Sequence, residues 1–218
     1  MTLRRFSVKR TTKPLRISIG QLLHDCAARF GERPCITMAP SGETLSYAGL
    51  DSLVNRAAHG FRDGIAGGRL NAGSGHVAVM LENGIPYLAM SYALKKIDLV
   101  EVSINRASCG PALVRMINLT SCETLLSSPA HFDALADILR DLPHLRVLIV
   151  TAGAEDEAAR FPHLEIISFD SLLANRDDHI VSAAADTDTA VVIFTSGTTG
   201  VSKGACCRTA TLFARPRT

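Results

Sequence analysis

Apolar residues recur every three or four positions through Ile19, Leu22, Leu23, Cys26, Ala27 and Phe30. That spacing predicts an amphipathic helix, with Ser18 placed to cap its start and Gly31 to stop it. Leu50, Leu53, Val54, Ala57, Ala58 and Phe61 repeat the stripe, predicting a second helix from about Tyr47 with Ser46 as its cap. Between the two, Cys35–Met38 and Thr44–Ser46 read as short strands joined by a turn at Pro40-Ser41-Gly42-Glu43. The pattern then changes. Val77-Ala78-Val79-Met80-Leu81 is an unbroken apolar run, the mark of a strand buried on both faces. Pro86 suits the first turn of a helix running to about Lys95. Further apolar strands are predicted at 99–104, 124–126, 146–150, 165–167 and 190–195. Helices are predicted at 112–118, 131–139 and 171–174. Strands alternating with helices imply crossover units, hence an α/β fold with a mainly parallel sheet.

Composition agrees with a folded core. Of the 218 residues, 47% are hydrophobic and 20% charged, which excludes a disordered charged polymer. Net charge is only +2, too small to argue for nucleic acid. Its distribution is uneven: Arg4, Arg5, Lys9, Arg10, Lys13 and Arg16 precede any acidic residue. Residues 1–17 therefore read as a basic, solvated arm. No apolar run follows that arm to make a secretory signal, and no stretch reaches the roughly 18 apolar residues of a membrane span. The six cysteines (26, 35, 109, 122, 206 and 207) include no CxxC pair. That favours reduced thiols and a cytoplasmic setting. The seven histidines show no metal-binding spacing and read as surface or core residues, so no metal ligand is assigned.

One segment carries chemistry. The 190–195 strand runs directly into Thr195-Ser196-Gly197-Thr198-Thr199-Gly200-Val201-Ser202-Lys203-Gly204, ten residues with three Gly, five Ser/Thr and one Lys. Glycines let backbone N–H groups turn onto a ligand, and successive N–H groups form an anion-binding concavity. Hydroxyls add uncharged donors and Lys203 a mobile positive charge. Such a set fits a polyphosphate, and it follows the carboxyl end of a strand, where open α/β sheets bind ligands. The spacing is neither that of a Walker loop nor GxGxxG.

This segment resembles the phosphate-binding signature of the AMP-forming adenylating enzymes, which include acyl-CoA synthetases, luciferases and peptide-synthetase adenylation domains. Ser202 stands where the family usually has Pro. The resemblance extends over about residues 18–205. SYAGLDSLVNRAA is similar to an early family helix, and HVAVMLENGIPYLAMSYALKKIDLVEVSIN to a strand–helix–strand segment, closest to the carboxylate–CoA ligases. There Asp98 replaces a usual Gly and Ser103 a usual Pro. The resemblance implies a partial N-terminal subdomain of the adenylating-enzyme large domain. It implies ATP with Mg²⁺, a carboxylate substrate and CoA as co-substrate, with Thr195, Ser196, Gly197, Thr198, Thr199, Gly200 and Lys203 as nucleotide-binding positions and no proton-transfer residue among them. The family's adenine pocket, Mg-binding Glu, ribose-binding Asp and lid Lys belong to later segments that these 218 residues do not contain. The expectation is a chain without activity alone; the alternative is a nucleotide-binding or half-enzyme chain that needs a complementary partner. After Gly204 the family's apolar strand and His are not legible, so residues 206–218 read as an aberrant tail. A one-base frameshift explains it: Cys206–Leu212 in GC-rich codons becomes Val-Leu-Pro-His-Arg-His-Ala in the neighbouring frame, which resembles the family's continuation.

Overall fold

The structure, a computed structural model, describes residues 18–39, 41–151, 155–158, 160–185, 187–195 and 203–209. The chain opens with helix α1 (Ile19–Phe30), strands β1 (Pro34–Thr37) and β2 (Thr44–Ser46), and helix α2 (Tyr47–Ala66). Capping follows the sequence reading: the Ser18 hydroxyl accepts from the Gln21 N–H and the Ser46 hydroxyl from the Gly49 N–H. Gly31 ends α1 at φ 53°, the left-handed region that glycine enters without a Cβ penalty. β1 and β2 form a separate antiparallel pair.

The main sheet is built from β3 (His76–Met80), β4 (Val100–Ser103), β5 (Thr124–Ser127), β6 (Val147–Val150), β7 (Glu165–Ser168), β8 (Thr189–Thr195) and β9 (Lys203–Arg208). Its order is β7-β6-β5-β3-β4-β8-β9, parallel throughout except for the antiparallel β8–β9 pair. The connecting helices are α3 (Ile85–Lys96), α4 (Gly110–Leu119), α5 (Phe132–Ala136), α6 (Glu155–Ala158) and α7 (Phe169–Leu172). Successive strand residues point to opposite faces, which divides the core in two. Val77, Val79, Leu126, Ile149 and Ile167 pack with buried residues of α1, α2, α3 and α7. Ala78, Met80, Leu125, Leu148 and Val150 pack with those of α4 and α5. Such two-sided burial is why these strands read as continuous apolar runs.

Two elements depart from the sequence reading. The single helix expected over 131–139 is instead a 3₁₀ turn (Pro129–His131), α5 and a second 3₁₀ turn (Leu139–Asp141). Its buried residues Phe132, Leu135 and Ile138, followed by Leu142 and Leu145, recur largely at intervals of three, the 3₁₀ period rather than 3.6. After Gly204, where no apolar strand is legible, a strand nonetheless forms: β9 extends from Lys203 to Arg208 and pairs with β8. A ladder needs backbone groups, not apolar side chains, and the free edge of β8 supplies them.

Two close fits set the helix layer. An added Cβ at Gly60 would lie 1.6 Å from the Leu172 carbonyl oxygen, so α2 and α7 touch through bare backbone. Asp98 holds φ 62° at the position where the resembling family usually has Gly. Aspartate enters this region more easily than most residues. Its carboxylate accepts from the Ser182 hydroxyl and from the Ala183 and Ala184 N–H groups.

A Gly60→Ala chain should unfold at lower denaturant, by the equivalent of about 1–3 kcal/mol, the usual cost of overpacking; an unchanged midpoint would show that the backbones do not meet so closely. β9 ends the sheet among the described residues, and Ile193 on β8 is 42% exposed. An open edge beside apolar surface favours association. The isolated chain should therefore self-associate as its concentration rises, and Cys206→Lys on that edge should suppress it. Sedimentation showing a monomer at all concentrations would contradict this.

Candidate nucleotide-binding site

The parallel strands all deliver their carboxyl ends to one rim of the sheet. Register places Ser103 of β4 beside Ile193 of β8, so β8 projects two residues further, to Thr195. Thr195 in turn faces Lys203, the first residue of β9. These two predicted site residues therefore form the neck of a hairpin at the rim, and both are exposed. Ser196, Gly197, Thr198, Thr199 and Gly200 lie outside the described residues. Gly204, next in β9, faces Phe194, and a Cβ there would sit 3.3 Å from Val192 and 3.4 Å from Phe194. Glycine after the lysine thus lets β9 lie close against β8.

The sequence reading missed a polar belt on the same rim. Ser103, Ser127 and Thr195 are the last residues of β4, β5 and β8. The Ser127 hydroxyl is buried without a protein partner. Nearby, Glu82 Oε1 lies 3.0 Å from His131 Nε2, without the alignment of a hydrogen bond. Burial alone would raise the Glu82 carboxyl; the Ser128 hydroxyl beside it, its own backbone N–H, His131 and Arg106 together hold it below the usual carboxylate range. A sequence signal for this belt existed only in part, as hydroxyl residues ending apolar runs.

A second polar centre lies among the helices. Lys96, whose side chain is fully buried, donates to Asp51 Oδ1 at 2.7 Å and Asn55 Oδ1 at 2.6 Å. Asp51 Oδ2 lies 2.9 Å from His24 Nδ1, and the His24 and His179 rings stack with centroids 3.8 Å apart. The nitrogen and oxygen atoms of His24, Asp51 and His179 gather within 4.8 Å, a grouping that linear spacing could not show. Lys96 supplies the positive charge there. Burial would raise the Asp51 carboxyl, but its bonds to Lys96 and His24 hold it below its ordinary value. Burial pulls the Lys96 ammonium down, and Asp51 offsets only part of that.

The cysteines form no bridge in the structure; all six are free. Cys206 is exposed and Cys207 half-buried, as neighbours on opposite faces of a strand can be. Burial pushes the Cys122 thiol up to about 11, which makes it inert.

Comparison with known proteins fits this geometry. The profile of the AMP-binding enzyme family matches residues 23–217. The chain is 24% identical over 180 residues to 4-coumarate–CoA ligase 3 of Oryza sativa subsp. japonica, covering 81% of this chain and 29% of that protein. It is 25% identical over 195 residues to crotonobetaine/carnitine–CoA ligase of Salmonella agona, covering 86% of this chain and 35% of that protein. The chain thus spans about a third or less of the length of these curated relatives. Its fold matches the anthranilate–CoA ligase AuaEII, solved with anthranoyl-AMP, at a TM-score of 0.76 and 15% identity, covering 91% of this chain and 36% of that one. The profile match over nearly the whole chain, on a parallel sheet whose β8 ends in the Ser/Thr/Gly/Lys segment, makes this chain a member of the AMP-binding enzyme family.

Proposed function

We propose that these residues are the N-terminal portion of the adenylation domain of an ATP-dependent carboxylate–CoA ligase. The observation that carries the reading is the Thr195–Lys203 neck at the end of a central parallel strand. In the proposed reaction a carboxylate oxygen attacks the α-phosphorus of ATP and pyrophosphate leaves, giving an acyl-adenylate. The CoA thiol then attacks the acyl carbon, its proton is lost, and AMP departs. Thr195, Ser196, Gly197, Thr198, Thr199, Gly200 and Lys203 grip the β- and γ-phosphates. They steady the charge that develops on departing pyrophosphate, as preorganised donors and a cation do. Lys203, exposed at the neck, can follow that charge as it moves. Mg²⁺ would accompany ATP and neutralise phosphate charge. The residues that in the family hold it, and those that recognise adenine and ribose, belong to segments beyond these 218 residues.

Domain organisation follows the same reading: a basic arm at 1–17, the adenylation portion at 18–205, and an out-of-frame tail at 206–218. β9 runs through Arg208, so the tail's first residues still complete a ladder. The free cysteines agree with a reducing, cytoplasmic setting, and no helix among the described residues is long and apolar enough to cross a membrane.

The 218-residue chain alone should catalyse no carboxylate-dependent ATP–pyrophosphate exchange. A chain continued from residue 205 in the frame that restores the His should catalyse it. In that longer chain, Lys203→Ala should lower kcat by about 10²–10³-fold, the usual cost of one lost stabilising donor. Full activity after Lys203→Ala, or exchange by the 218 residues alone, would overturn the assignment. Gene sequence downstream of codon 205 that encodes none of the missing segments in any frame would remove the frameshift.

A further inference from the structure

The connection from α7 to β8, residues 173–188, is held down largely by polar side chains. Arg56 Nε donates to the Ala174 carbonyl at 2.9 Å, and Ser52 donates to Asp177 at 2.6 Å. His59 Nε2 lies 2.9 Å from the Asp178 carbonyl oxygen, and Asp98 receives Ser182, Ala183 and Ala184. At the middle of this strap stands His179, with Ile180 buried beside it in the core.

The hydrogen bonds around His179 fix its proton. Gln21 donates its side-chain NH₂ to Asp25 Oδ1 at 2.8 Å, so the amide oxygen is the atom turned to His179 Nε2, 3.1 Å away. Nε2 must then carry the hydrogen. Nδ1 is left as an acceptor, and Lys96 Nζ lies 3.3 Å from it. Lys96 has three N–H groups and three acceptors: Asp51 Oδ1, Asn55 Oδ1 and His179 Nδ1. The arrangement closes only with Lys96 charged and His179 neutral. A proton on Nδ1 would face an ammonium 3.3 Å away with no lone pair between them.

We propose that Lys96, His24 and His179 form a pH-operated latch, shut while His179 is neutral, that holds the 173–188 strap on α1, α2 and α3 and releases it on mild acidification. Every packed element bears on His179. Lys96 of α3 and His24 of α1 oppose its protonation. Asp51 of α2 and Asp25 of α1 favour it. Burial is the largest influence, followed by Lys96 and His24, and together these carry His179 below its ordinary 6.5 despite the carboxylates. The released strap therefore takes up a proton more readily than the docked one. Docking is fully favoured above about pH 6.5 and weakens as pH falls through the lower, docked value. Asp51, held below its ordinary 3.8, stays charged across this window and does not supply the effect. The strap leads straight into the first residue of β8, Thr189, at the end of the sheet opposite Thr195.

Hydrogen exchange of the 218-residue chain, corrected for intrinsic rates, tests this at pH 7.5 and pH 5. Protection of strap amides should fall more than that of β3 and β5 amides, because docking of the strap alone is linked to the His179 proton. His179→Asn keeps an acceptor for Lys96 but cannot titrate, and should abolish the difference. Equal loss in the strap and the central strands, or a strap response that survives His179→Asn (and so belongs to His59 or another group), would overturn the latch. Imidazole NMR of the unsubstituted chain gives a readout independent of that variant: the His179 midpoint should lie below 6.5, and a midpoint at or above it overturns the proposal.

Discussion

Parallel strands cannot be joined by tight turns. Each must be followed by a crossover long enough to return the chain to the same end, and the crossover covers a face of the sheet. That constraint organises this protein. It buries Val77–Met80 on both sides, divides the apolar residues between two cores, and sends every parallel strand's carboxyl end to one rim. The rim is where backbone stops pairing with backbone. It is therefore where Ser103, Ser127, Thr195 and Lys203 stand.

The helix layer obeys a different constraint. A fully buried ammonium is tolerated only when its hydrogens all find acceptors. Lys96 meets this with groups drawn from α2 and the strap, and so adds polar ties between elements that already share one apolar core. Gly20 shows how close the fit is: a Cβ there would fall 2.4 Å from Lys96 Cγ. Glu101, buried on β4, uses the same logic with Tyr87, Ser91 and Lys95 along one stripe of α3.

Local chemistry was legible wherever a residue acts on its near neighbours. Ser18 and Ser46 cap helices, Gly31 stops one, and Pro86 starts another, because each effect spans one turn. The parallel sheet was legible from unbroken apolar runs, and the Ser/Thr/Gly/Lys segment from its composition after a strand. What could not be read were meetings across distance. His24 and His179 are 155 positions apart, and nothing in their spacing brings their rings together. Lys96, one residue past the helix end predicted at about Lys95, is among the most buried side chains. The strand at Lys203–Arg208 was not legible because its side chains are not apolar, although its pairing depends on the neighbouring backbone.

The antiparallel turn at Thr195–Lys203 reverses the direction of travel. β9 carries the chain away from the rim, and Thr209 finishes at the opposite end of the sheet, where its N–H bonds the Asp188 carbonyl. Six strand residues cover roughly 20 Å. The hairpin thus separates its two ends by the length of a strand: Thr195 and Lys203 stand at one edge of the fold, and the polypeptide is handed on at Thr209 from the other.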